Sequence, residues 1–432
     1  MTKKHNFIWG TFILTSASFL SRFIGFYFRI FLSRIFSEEQ IGLYQLIFPI
    51  YALAFSLTSA GIELALSRTV AKEISHGKRE SAAFFFYISL FLSILLSCSC
   101  MKLLQKNAGL ISIYILGDMR SEALISSIAY ALPFAGIHSC VCGYYLGLKQ
   151  AKVSAISQLL EQLIRVMTAI LLCQMTPNII SAVHGIVLSE FFTALFCVWY
   201  YARKDFCLIP RNYLLQLPQF FKELLALSLP ITANRILTNL LQSTESISIP
   251  LSLQKYGYTA AEALGSLGVL TGMALPCILF PSAITNSLAM LVLPAVAECQ
   301  STQNKVTLRR MIQKIASFCF LIGSVSCLFF FIFSSSIGKL IFKNSATSDY
   351  LKVLCWICPF LYSNTTLSSI INGLGKTSVS FLINCLAISI RIISILFFVP
   401  QIGINGYLWG LLLSQLLSFS LQILYLIKQR GC

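Results

Sequence analysis

Residues 147–154 read GLKQAKVS, and residues 373–380 read GLGKTSVS. The two stretches share Gly, Leu, Val and Ser at an offset of 226 residues, and the same offset carries Arg165 onto Arg391. Further along, HGIVLSEF (184–191) is similar to WGLLLSQL (409–416) at an offset of 225, matching Gly185 with Gly410 and Ser189 with Ser414. Upstream, TVAKE (69–73) and AVAE (295–298) each close the second apolar run of their half. Identities are few, but a constant order and spacing points to an internal duplication.

The material being duplicated is apolar. Of 432 residues 57% are hydrophobic and 11% charged, and mean hydropathy is +0.80. That is more apolar surface than one soluble core can bury, so much of it faces lipid. Runs of about 20 or more apolar residues, punctuated by charge, Gly or Pro, predict twelve helices. They cover 7–35, 41–68, 83–104, 122–147, 151–173, 179–202, 222–251, 263–296, 312–336, 350–373, 378–399 and 403–427. The first run follows Lys3 and Lys4, but its length, its arginines and the lack of a small-residue cleavage site make it a membrane helix and not a leader. The expected fold is therefore all-α and integral to the membrane. It has an N-lobe at 1–205 with helices one to six, a cytoplasmic linker at 206–221, and a C-lobe at 222–432 with helices seven to twelve. Two parallel-repeat lobes of this kind hold a transport site between them and rock around it to give alternating access.

The net charge of +17 would raise nucleic acid as a partner in a soluble protein. Here the positive-inside rule accounts for it. With the N-terminus inside, the cytoplasmic segments hold eighteen Lys and Arg and the external segments eight, so both termini are expected in the cytoplasm. The 15 cysteines read as free, mostly buried thiols. Cys355 and Cys358 form a C-x-x-C inside an apolar run without a histidine or a second pair, so no metal is expected there. No P-loop, H-E-x-x-H, Rossmann glycine pattern or nucleophile elbow occurs. The expectation is a transporter and not an enzyme, with no cofactor.

Six basic residues remain inside spans: Arg22, Arg29, Arg68, Arg165, Arg235 and Arg391. A mid-bilayer arginine costs about 3 kcal/mol on insertion scales, so each needs a partner, a wet cavity or a route to the interface. Arg22 and Arg29 lie two turns apart on one face, with Gly25 between them as a candidate hinge. The seventh helix carries a stripe of Arg235, Thr238, Asn239, Gln242, Glu245 and Ser246. Such a stripe faces a cavity or another helix. Arg22, Arg29, Arg235, Asn239 and Gln242 are the candidate substrate-binding residues, their guanidinium forks suiting an anionic diphosphate headgroup. Glu63 and Glu245 are candidates for ion coupling or for counter-ions. Glu161, four residues before Arg165, suggests an intrahelical pair, whereas the matching helix around Arg391 has no acid. Glu190 and His184 stay ambiguous.

LSRFIGFYFRIFLSRIFSEEQIGLYQLIFPIYALAFSLTSAGIELALSRTVAKE (20–73) resembles the opening of the stage V sporulation protein B group of polysaccharide-type flippases, and GMALPCILFPSAITNSLAMLVLPAVAE (272–298) is similar to that group's eighth helix. The group belongs to the multidrug/oligosaccharidyl-lipid/polysaccharide (MOP) exporter superfamily, with the lipid II flippases and the MATE antiporters. The resemblance implies a monomeric two-lobed flippase of the bacterial cytoplasmic membrane. Its substrate would be an undecaprenyl-diphosphate-linked saccharide, a peptidoglycan precursor or polysaccharide unit of spore cortex or cell wall. It would be driven by a coupling cation or the membrane potential. Lipid II flippases line their cavity with basic residues of the first helix, where Arg22 and Arg29 sit in the similar motif. Their basic residues in helices two and eight have no match in FPIYALAF and GMALPCILFP. The alternative is a MATE-like cation-coupled drug antiporter, for which cavity carboxylates are expected.

Overall fold

The computed structural model describes residues 2–207, 217–301 and 305–428, with side chains of residues 2–14, 294, 297–299, 301 and 305–309 excepted. Most of the expected linker, 208–216, lies outside the described residues, as do Arg211 and Arg430 and the side chains of Lys3, Lys4, Lys305 and Arg309. All regular structure among the described residues is helical. The helices are α1 (Thr2–Ile35), α2 (Glu38–Ser75), α3 (Arg79–Lys106), α4 (Ser121–Gly147), α5 (Ala151–Met175) and α6 (Ile179–Lys204). They continue with α7 (Leu217–Tyr256), α8 (Ala260–Leu279, resuming at Ser282–Ser301), α9 (Lys305–Ser336), α10 (Ser345–Gly373), α11 (Thr377–Phe397) and α12 (Ile404–Lys428). Eleven of them, α2 to α12, are long and apolar enough to cross a membrane. With α1 the twelve expected helices are present.

Several helices are irregular, for identifiable reasons. In α2, Pro49 is followed by a π-helical stretch at Ser56–Ala60. There the hydroxyls of Ser56 and Thr58 donate to the Ala52 and Ala54 carbonyls, 2.8 and 3.0 Å away. In α8, which the hydropathy reading joins into one span, the helix breaks at Phe280–Pro281, because Pro281 has no N–H to continue the ladder. Shifted back by 226 residues this break falls at 54–55, beside the π stretch of α2, so the second helix of each half is disrupted at one level.

The duplication is plain in the backbone. Lys149 (φ 61°) and Gly375 (φ 74°) hold the same left-handed position between helices. Around them three hydrogen bonds recur at the offset of 226. Leu148 to Tyr144 matches Leu374 to Ile370, Lys149 to Leu146 matches Gly375 to Asn372, and Gln150 to Tyr145 matches Lys376 to Ile371. The π-helical stretches Ile111–Leu116 and Ile337–Phe342 match at the same offset, each ending on a left-handed residue, Gly117 or Lys343. Glycine contacts follow suit. A Cβ on Gly147 would lie 2.7 Å from that of Val70, and one on Gly373 would lie 3.0 Å from that of Val296.

The chain folds into two compact units, one of Met1–Gly25 with Leu46–Ser243 and the other of Phe26–Gln45 with Thr244–Cys432. These bounds cut α1, α2 and α7, whereas the boundary expected at 205 falls at the end of α6 and the one expected at 222 falls inside the first turns of α7. In the first unit Leu66 and Val70 pack with Phe84, Phe85, Phe86, Tyr144, Tyr145 and Tyr201. In the second, Val296 packs with Leu367, Ile370 and Ile371, the positions equivalent to the α2–α4 part of that core.

Candidate functional site

In the first unit Arg22 is exposed and makes no hydrogen bond or ion pair to any described residue. α1 runs through Gly25 without interruption, and the missing side chain leaves room for Gln162, whose Nε2 would be 3.0 Å from a Cβ there. Arg235 and Gln242 on α7 are exposed, and the Arg235 charge acts on the half-buried Glu63 carboxylate. Asn239 is committed elsewhere. Its Nδ2 donates to the Ser56 hydroxyl and, at 3.4 Å, to the Ala52 carbonyl, while Ser243 donates to the Pro49 carbonyl at 3.1 Å. α7 thus satisfies the backbone that Pro49 and the π stretch leave irregular.

Arg29 and Glu245 belong to the second unit. The Arg29 Nη1 donates to the Thr271 carbonyl at 2.8 Å. The chemistry of that carbonyl explains the contact. Thr271 lies in a π-helical stretch, Gly268–Ala274, where the Leu275 N–H goes to Leu270, and the next residue, Pro276, has no N–H. Arg29 supplies the missing donor, with four N–H groups left over. Glu245 is a buried counter-ion. Its Oε1 lies 2.9 Å from the Arg391 Nη1 and accepts from the Tyr407 hydroxyl at 2.7 Å. The acid missing from the helix of Arg391 is therefore provided by α7.

A second polar group, in the first unit, centres on a residue that hydropathy passes over. His138 sits in the apolar α4 and places Nδ1 3.3 Å from Oε2 of Glu190 and Nε2 3.2 Å from Oγ of Ser157. Glu161, ion-paired with Arg165 as the i,i+4 spacing suggests, offers a carboxylate oxygen within 4.8 Å of ligand atoms from both His138 and Glu190. Glu190 is buried and His138 nearly so. The cluster draws on α4, α5 and α6, and only the Glu161–Arg165 part is readable from spacing. His138 has no charged neighbour at helical distance, so nothing in its own helix marks it.

Twelve long helices in a duplicated arrangement, lined with intramembrane arginines and carboxylates and carrying no enzymatic motif, define a multi-pass membrane transporter. By sequence, residues 7–300 match the family model described as "Polysaccharide biosynthesis protein", and the chain belongs to that family. It is 28% identical over 415 residues to the stage V sporulation protein B of Bacillus subtilis (strain 168), covering 93% of this chain and 80% of that one. It is 25% identical over 165 residues to the lipid II flippase MurJ of the same organism, covering 36% of this chain and 30% of that protein. Among solved structures, an inward-facing MATE transporter of the MOP superfamily superposes with a TM-score of 0.75 at 15% identity, over 95% of this chain and 94% of that one. A MOP superfamily transporter from Pyrococcus furiosus gives 0.68 at 16% identity, over 99% and 95%. The fold is that of the MOP superfamily, as the resemblance implied.

Proposed function

We propose that the protein is a flippase that moves an undecaprenyl-diphosphate-linked saccharide across the bacterial cytoplasmic membrane by alternating access. The observation that carries this reading is Arg22, an exposed guanidinium within the apolar part of the chain and without a described partner. A cation in that position is costly unless an anionic ligand visits it. Arg235 and Gln242 add an exposed cationic and polar face on α7, and two of the relatives are named for sporulation and lipid II flipping. In this reading the six-helix lobes are about 1–205 and 222–432, and Arg22, Arg29, Arg235, Asn239 and Gln242 are the residues that meet the substrate. Gly25 lets α1 flex as the cavity changes sides, Glu63 answers the charge of Arg235, and a monomer with both termini cytoplasmic suffices.

Arg22 is the sharper probe, because Arg29 already serves the Thr271 carbonyl. In proteoliposomes carrying a fluorescent undecaprenyl-diphosphate-linked disaccharide, Arg22→Ala removes a charge-assisted contact of about 2 kcal/mol, so translocation falls roughly thirtyfold. Arg29→Ala falls as well and also lowers the unfolding temperature. Wild-type rates in both variants would overturn the cavity assignment. Movement of a cationic dye with no movement of the lipid would favour drug antiport.

A further inference from the structure

We propose that the His138–Glu190 pair of the first unit binds and releases one proton, and that this proton drives the transport cycle. The second clause rests on the flippase reading above, and the first stands without it.

Hydrogen-bond accounting leads to the proton. With its hydroxyl hydrogen on the Ser154 carbonyl, 3.0 Å away, the Ser157 oxygen accepts from the His138 Nε2–H and faces the Cys142 thiol at 3.2 Å; with that hydrogen turned to Nε2, the imidazole hydrogen sits on Nδ1 and is donated to Glu190. A neutral imidazole with its hydrogen on Nε2 has a bare lone pair on Nδ1, and that lone pair would face a carboxylate oxygen 3.3 Å away. In the first arrangement the contact needs one further hydrogen between Nδ1 and Oε2, held by either atom. Net charge agrees. Glu161 and Glu190 against Arg165 leave one negative charge when His138 is neutral, a costly state for a buried group. One proton brings the sum to zero. The groups that face the pair are Tyr51 from α2, Glu63 from the same helix beyond its π stretch, Cys142 from α4, Glu161 and Arg165 from α5, and Cys197 from α6. Arg165 is the permanent cation among them and is engaged by Glu161.

The second unit shows that packing does not require an ionisable pair here. At the offset of 226, His138 falls on Asn364, and at the offset of 225 that relates α6 to α12, Glu190 falls on Gln415. These two also touch. The Asn364 Nδ2 donates to the Gln415 Oε1 at 2.8 Å and to the Gln415 carbonyl at 2.9 Å. One duplicated position thus holds a neutral amide pair whose hydrogens are fixed, and its twin holds a pair with one exchangeable hydrogen. When that proton leaves and the Ser157 hydroxyl stays on the Ser154 carbonyl, Nδ1 and Oε2 face each other as two electron-pair donors, and α4 and α6 lose their contact at this point. Proton occupancy is tied in this way to the spacing of two helices inside one unit.

The test replaces the pair by the one that its twin already uses, His138→Asn with Glu190→Gln. Full-length wild type and double variant, in nanodiscs and weak buffer, are titrated between pH 8 and pH 5 while bound protons are counted. Wild type takes up about one proton more than the variant, and equal uptake overturns the proposal. In proteoliposomes with the fluorescent lipid, a difference of one pH unit across the membrane changes the wild-type rate at least threefold and leaves the double-variant rate unchanged. A gradient response that survives in the variant, or is absent from a wild type that moves lipid, overturns the coupling role. Lipid that stays put in both proteins while the extra proton is counted refutes the flippase reading and leaves the proton site standing.

Discussion

Glu245 shows how much a single side chain can hide. On the helix wheel it belongs with Arg235, Asn239 and Gln242, and its spacing suits a cavity carboxylate as well as a counter-ion. Folded, it is buried against Arg391 and Tyr407. Breaking a buried ion pair from one side leaves an uncompensated charge and costs about 3–5 kcal/mol, whereas exchanging the whole group for apolar residues of similar volume is often neutral. Glu245→Gln should therefore lower the unfolding free energy from a mixed-detergent titration by an amount in that range, seen as a lower midpoint. Glu245→Leu combined with Arg391→Met and Tyr407→Phe should recover most of it. An unchanged midpoint in Glu245→Gln would mean that the pair contributes nothing to the fold. Arg391 could not have been matched with its acid from sequence, since the partners are 146 residues apart and on different helices. Glu161 and Arg165 could, because a four-residue spacing on one helix brings side chains together regardless of tertiary structure.

Helices were legible to the extent that lipid dictates them. A 20-residue apolar run in a bilayer has to satisfy its backbone internally, so composition and length decide the element before packing does. What composition does not reveal is where the ladder is interrupted. The single span expected at 263–296 is two helices meeting at Phe280–Pro281, and the carbonyls left irregular in α2 and α8 are met by hydroxyls of α2 itself, by Asn239 and Ser243 of α7, and by Arg29 of α1. The glycines at helix crossings are more informative. Gly147 approaches Val70, and Gly373 approaches Val296, so closely that a methyl group has no room. Overpacking of this kind costs about 1–3 kcal/mol. Gly147→Ala and Gly373→Ala should each be destabilised within that range, by similar amounts, and Val70→Gly, which removes the facing Cβ, should relieve Gly147→Ala but not Gly373→Ala. Chemical unfolding of the five proteins checks this. Relief of both variants by one valine substitution would contradict the assignment of each glycine to its own half.

At the scale of the whole molecule, two short strings at an offset of 226 carried more than their few identities suggest. Between the halves the turn geometry, the π stretches that end on Gly117 and Lys343, and the helix-crossing glycines repeat, while the chemistry does not: His138 and Glu190 answer to Asn364 and Gln415. A shared backbone with divergent side chains fits a chain in which geometry serves membrane insertion and a few substituted positions serve transport. If each half holds six spans, every turn keeps its side of the membrane when shifted by 226 residues, because an even number of crossings separates the copies. Gly117 and Lys343 then share one side, and Lys149 and Gly375 share the other. With both termini cytoplasmic, as proposed above from the eighteen-to-eight distribution of basic residues, the second pair faces the cytoplasm. Alkaline phosphatase folds only outside the cytoplasm, so fusions truncated after Gly117 or Lys343 should be active, and fusions after Lys149 or Gly375 should be at least tenfold less so. Opposite activities within either pair would break the parallel repeat. The reverse pattern in both pairs would keep the repeat and place the termini outside.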